Sequence, residues 1–257
     1  MNSSLHISQQ LSDSLSPLIR KGEDVVVIHS ALSQLGYERD EIYLGGLLKF
    51  LDQLIDEGKT ILLPSFTFSF PSRQRYTFSD CSETGIFADL ARIHLGFRRT
   101  PNPMFSFSVK GPKEDEFLNT RSDSGYGPGT AVERLGSSDV VTIILGASWN
   151  SCTVIHAVEE RMMVPYREFA IWNYPADLGD GSIIYPFQLY VRKKTEKTTL
   201  RFDKIRAALF RKGVLRTTCL NNIAVEAANN NEIVELAKHL IINDPYYFVE
   251  KENPTNA

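Results

Sequence analysis

The chain has 257 residues, 42% hydrophobic and 23% charged, enough to bury a sizeable core as one large domain or one domain with an appended subdomain. A net charge of −3 argues against a nucleic-acid-binding surface, and no apolar run is long enough to cross a bilayer. Three widely spaced cysteines, Cys81, Cys152 and Cys219, fit neither a disulfide framework nor a zinc pattern, and the polar start of the chain lacks the features of a secretion signal; a cytoplasmic protein without a metal is the simplest expectation.

Residues 5–19 carry Leu and Ile at helical spacing and predict a first helix. Residues 24–30, DVVVIHS, read as a buried strand entering a loop. Residues 40–55 place Ile42, Leu44, Leu47, Leu48, Leu51, Leu54 and Ile55 along one stripe of an amphipathic helix, and Gly58 follows as a stop. The Gly45-Gly46 pair inside that helix reads as a packing site. Residues 60–63 form a second buried strand, ended by Pro64. The stretch 65–83, SFTFSFPSRQRYTFSDCSE, is long for a loop, and its aromatic content argues against disorder. A helix over 84–95, an alternating strand over 105–109 and a third buried strand over 139–145 follow.

This alternation predicts an α/β fold with a mostly parallel central sheet and helices on both faces. After Tyr166 the rhythm changes. Residues 169–172 and 182–191 predict an antiparallel hairpin with GDG at its turn, followed by a helix over 201–212, a strand over 214–219, a helix over 230–242 and a frayed tail from Glu250. The expected division is a core over 1–166 and a small mixed C-terminal subdomain over 167–257, packed on that core.

The third buried strand leads into NSCTVIHAVEE, residues 150–160. On a helix, steps of three keep Thr153, His156 and Glu159 on neighbouring positions of one face. A hydroxyl, an imidazole and a carboxylate then stand at the carboxyl end of a strand, where ligands bind in open α/β sheets.

Four segments resemble the aminoglycoside 3-N-acetyltransferase family, in the family's order: HSALSQLG at 29–36, ETGIFADLAR at 83–92 with Asp89 where the family usually has Glu, RTPNPMFSFSVKG at 99–111, and TVIHAVE at 153–159. GYGPGTAVERL at 125–135 is a weaker fifth. The third departs from the pattern: Asn102-Pro103 stands where the family usually has His-Pro, and Asn cannot shuttle a proton at neutral pH. The resemblance implies acetyl-coenzyme A as co-substrate, direct acyl transfer and His156 as the catalytic histidine. It also implies contact of Ser30, Ala31 and Leu32 with the pantetheine–pyrophosphate region, with Thr100 and Ser106 as matching hydroxyls. Arg98 and Arg99 suit phosphate.

Acyl transfer to an amine needs a neutral nitrogen nucleophile, and a base with a pKa near 7 supplies one. His156 fits that role, with Glu159 orienting it and stabilising the imidazolium. Thr153 could hydrogen-bond the thioester carbonyl, position the departing sulfur, or simply serve the helix start. The direct acyl transfer that the resemblance implies leaves Cys152 poorly suited as a nucleophile.

The acceptor is expected to be a small molecule, bound by Asn102, Asp80 and Glu83 in a monomer or homodimer. Arg73 and Arg75 in the aromatic loop would repel a polycation, which favours an amino sugar in polysaccharide or natural-product assembly. The alternatives are an aminoglycoside 3-N-acetyltransferase conferring antibiotic resistance, and a non-catalytic coenzyme A- or sugar-binding protein.

Overall fold

The computed structural model describes residues 3–35, 41–179, 181, 183–184 and 186–251. The three apolar runs lie side by side at the centre of a seven-stranded sheet: Val25–Ser30 pairs in parallel with Thr60–Pro64 on one side and with Val140–Leu145 on the other. Beyond Thr60–Pro64, Phe107–Lys110 and then Arg98–Arg99 add in antiparallel fashion. Beyond Val140–Leu145, Ile223–Asn229 and then Arg216–Leu220 do the same. Two reversals on each side restore the original direction, so five of the seven strands run the same way, while parallel pairing is confined to the central three.

The central strands are apolar throughout because both faces are covered. Alternate side chains enter different cores. Val25 and Val27 pack in one cluster with Ile155, Ile205 and Ile233. Val26 and Ile28 pack in the other with Leu11, Leu47, Phe50 and Phe87. Helices Ser3–Leu15, Glu41–Asp56 and Ile86–Leu95 therefore cover one face, and Val154–Arg161, Lys204–Arg211 and Asn230–Asn243 the other. The close packing expected at the glycine pair is seen at Gly46, where a Cβ would stand 2.6 Å from Cγ2 of Ile7.

Two expectations are corrected, and residues 167–257 share the main sheet and its apolar core. Ile223–Asn229 pairs with Val140–Leu145, and one apolar cluster runs from Val25 to Val249. That strand was not anticipated; it follows a turn in which Asn221 and Asn222 both have positive φ (49° and 62°), the geometry of a tight hairpin. The expected 169–172/182–191 hairpin is split. Arg167–Trp172 pairs with Phe187–Arg192, while Ile183–Ile184 pairs with Ala176–Asp177, which also joins Tyr76–Thr77. Asp180 of the GDG turn lies outside the described residues, as do Gly36, Asp40 and the tail from residue 252. Glu250 and Lys251 are not frayed; Val249–Lys251 pairs with Thr198–Leu200. Among the described residues no helix is long and apolar enough to cross a membrane.

Candidate active site

The strand Val140–Leu145 ends at Gly146 (φ +69°), packed so closely that a Cβ would lie 2.9 Å from the carbonyl oxygen of Ala31. A short turn, Trp149–Ser151, follows, opened by the Ser148 side chain accepting from the Asn150 amide. Trp149 ties this turn to the sheet, its Nε1 donating to Glu226 Oε2 at 2.7 Å. The helix Val154–Arg161 then buries Val154, Ile155 and Val158, which leaves His156 facing an aromatic wall. The His156 ring stacks on Tyr126 (4.6 Å between centroids, 16° between planes) and meets Phe202 edge-on at 4.7 Å.

The expected histidine–carboxylate pair is present in geometry. His156 Nδ1 lies 3.1 Å from Oε2 of Glu159, whose side chain is fully buried. Two further groups hold that carboxylate: Arg167 Nη2 at 2.8 Å and the donating Tyr166 hydroxyl. Arg167 is itself fixed, with Nη1 donating to the Tyr190 carbonyl at 2.8 Å, and its Nη2 also lies 3.1 Å from His156 Nδ1. Glu159 and Arg167 cancel in charge, so a proton on His156 would add an uncompensated buried cation. Burial accordingly pushes the His156 pKa below the usual histidine value; the Glu159 hydrogen bond opposes this and the Arg167 charge reinforces it. With Nδ1–H donating to Glu159, Nε2 is left as the basic nitrogen.

His156 opens on a cleft of about 400 Å³, whose walls include Ser30, Phe68, Phe105, Asn150 and Thr153. Of the anticipated residues, His156, Thr153 and Ser30 line it together. The Thr153 hydroxyl does not cap the helix; it donates to the Ser151 carbonyl at 3.1 Å. Cys152 is buried and its thiol is pushed up to about 12 by that burial, which removes it as a nucleophile.

The remaining candidates all have partners within the protein. Arg99 is 1% exposed: Nε donates to Ser106 Oγ and Nη2 to Thr67 Oγ1, both at 2.7 Å, and the guanidinium also donates to the carbonyls of Ser65, Phe78 and Asp80. It has no donor left for a phosphate. Ser106 donates to the Ser65 carbonyl, and Thr100 accepts from the Phe107 amide. Asn102 is buried; Nδ2 donates to the Ser124 carbonyl and Oδ1 accepts from the amides of Met104 and Phe105. It staples the turn that presents Phe105 to the cleft. Asp80 and Glu83 both pair with Arg73, at 3.4 and 3.5 Å, and Asp80 also holds Thr77 while Glu83 holds Ser69. The Ala31 amide donates to the Leu145 carbonyl, and Leu32 packs against the helical core. Arg98 is exposed and pairs with Glu114 and Asp115.

Sequence reasoning did not single out Arg167, Tyr166 or Tyr126. The only signals were the end of the matched region and the weak GYGPG segment; none of the three has a spacing that points to His156.

Residues 27–241 match the family described as aminoglycoside 3-N-acetyltransferase. No curated protein sequence matches the chain. In fold, the chain is similar to the crystal structure of YokD protein from Bacillus subtilis, at 20% identity over 92% of this chain and 93% of that one, with a TM-score of 0.73. It is similar to aminoglycoside acetyltransferase AAC(3)-Xa, at 18% identity over 95% and 96%, with a TM-score of 0.74. It is also similar to AAC-IIIb in its binary structure with CoASH, at 18% identity over 92% and 96%, with a TM-score of 0.74.

Proposed function

The chain belongs to the aminoglycoside 3-N-acetyltransferase family, a coenzyme A-dependent acetyltransferase with acetyl-coenzyme A as co-substrate, and on that premise we propose that His156 is the general base for direct transfer of the acetyl group to an aminoglycoside amine. The observation that carries this reading is the imidazole in the cleft wall, held neutral between Glu159 and Arg167 with one ring nitrogen free.

The acceptor amine attacks the thioester carbonyl carbon, and the carbonyl π pair moves to oxygen. His156 Nε2 takes the N–H proton as the C–N bond forms; Glu159 steadies the imidazolium. Collapse re-forms the carbonyl and expels the thiolate of coenzyme A, which takes the proton back from His156. Cys152 plays no part.

The preference for a polysaccharide precursor rested on the repulsion of a polycation by Arg73 and Arg75; Arg73 is paired with Asp80 and Glu83, which weakens that objection at one of its two residues. Family membership favours the aminoglycoside acceptor, and structures similar to this chain hold apramycin, a gentamicin and sisomicin. Free thiol release from acetyl-coenzyme A tests this, with aminoglycosides compared against nucleotide-activated amino sugars. Aminoglycoside-dependent release is expected; release with the amino sugars and none with the drugs would reverse the assignment of the acceptor.

A further inference from the structure

Acyl transfer through a tetrahedral intermediate needs a donor aimed at the developing oxyanion, and most donors around the cleft are committed elsewhere. The hydroxyl of Thr84 donates to the Pro64 carbonyl at 2.7 Å, that of Ser151 to the Ser148 carbonyl at 2.6 Å, and that of Thr153 to the Ser151 carbonyl at 3.1 Å. In the first turn of the helix, the Ile155 and His156 amides already bond to the carbonyls of Cys152 and Thr153. Thr153 therefore has no proton to offer the thioester.

His29 is different. It sits at the carboxyl end of the strand Val25–Ser30, lines the same cleft as His156, and is 3% exposed. Among the described residues no hydrogen bond reaches its ring. An imidazole always carries at least one N–H, so the ring keeps a donor from which an oxygen bound in the cleft can accept. Ser30 and Asn150 also line the cleft but are more exposed, where water weakens a donor.

We propose that His29 is a second catalytic imidazole, whose ring N–H donates a hydrogen bond to the thioester carbonyl oxygen as that oxygen becomes the oxyanion. Its proton is held, not transferred; the C–N bond forms and the C–S bond breaks as already described. Burial pushes the His29 pKa down to about 4, so the ring stays neutral at working pH. A neutral imidazole then acts as an electrophile, and His156 alone moves protons. The two histidines divide the chemistry by environment: His156 is coupled to a carboxylate and an arginine, and His29 stands in apolar surroundings without a charged partner.

This role rests on the acetyl-transfer reading, and its test separates the two. His29→Leu keeps the volume and removes the donor; His29→Gln keeps a donor. Steady-state thiol release is measured with wild type and both variants, alongside calorimetric binding of free coenzyme A and thermal unfolding. For His29→Leu, kcat is expected to fall about a hundredfold, with coenzyme A affinity within about twofold of wild type. His29→Gln should recover part of that loss. Unchanged kcat in both variants, or a loss confined to coenzyme A binding and KM, would overturn the oxyanion role. Absence of thiol release by wild type with every amine tried would instead overturn the acetyl-transfer reading.

Discussion

The segment from Arg99 to Ser106 and the segment from Thr153 to Glu159 both place polar side chains in the family's pattern, yet they do opposite things. In the first, Arg99, Thr100, Asn102 and Ser106 bond inward, to carbonyls, amides and one another. They hold the aromatic loop and the Phe105 turn in place. In the second, His156 has one nitrogen tied to Glu159 and faces a cleft with the other. A polar motif marks a place where hydrogen bonds matter; whether those bonds serve the fold or a ligand depends on whether the groups are already paired.

The largest effect that tests this contrast is on the open segment. His156→Gln should cut kcat by about 10²–10⁴-fold in the thiol-release assay, with the thermal midpoint little changed. A variant that keeps wild-type turnover would move the chemistry elsewhere.

On the closed segment the effect should appear in stability. Arg99→Met strands the acceptors of Ser65, Thr67 and Ser106 and should cost roughly 3–5 kcal/mol in urea unfolding, with KM for acetyl-coenzyme A unchanged in the folded fraction. If KM rises while stability holds, Arg99 binds phosphate after all.

A smaller effect comes from the group that links the open segment to the rest of the chain. Burial and then Arg167 hold the His156 pKa below the usual histidine range, against the pull of Glu159. The base form therefore persists as pH falls, and the acid limb of the kcat/KM profile should lie below that range. Arg167→Met removes a cation and leaves Glu159 unopposed, so the limb should move to higher pH; each unit means about tenfold less base on its acid side. Arg167→Lys should restore part of the shift. A limb that stays in place would show that Arg167 acts only in packing.

The smallest change is expected at Cys152, next to Thr153 but sealed in the core. Cys152→Ala should alter turnover by less than about twofold, and mass spectrometry of the wild-type protein with acetyl-coenzyme A should find no acetylated Cys152. A trapped acetyl group there would replace direct transfer by a covalent route.

Much of the frame was legible beforehand because burial leaves a period. Runs such as VVVI and VVTIIL, short and β-branched, read as strands covered on both faces, and the spacing of Leu47, Leu51 and Leu54 reads as one face of a helix. The strand Ile223–Asn229 escaped because Ala224, Ala227 and Ala228 are weak strand formers and its turn signal, a pair of asparagines, is easily read as loop. In the site, the spacing of His156 and Glu159 within one helix was readable for the same local reason. Arg167 lies eleven residues from His156, beyond the helix, and Tyr126 and Phe202 come from other segments.

The sequence by itself therefore determined the alternating core elements, the helix that carries His156 and Glu159, and, through its ordered motifs, the family. Only the tertiary structure decided which polar groups remain available: it spent Arg99, Asn102 and the Thr153 hydroxyl on internal partners, brought Arg167 to the carboxylate, and left the His29 ring unpartnered beside the cleft. The reason is physical. Hydrophobic periodicity records which face of an element is buried, a local property, whereas the pairing of a buried donor depends on whichever distant segment the fold carries to it.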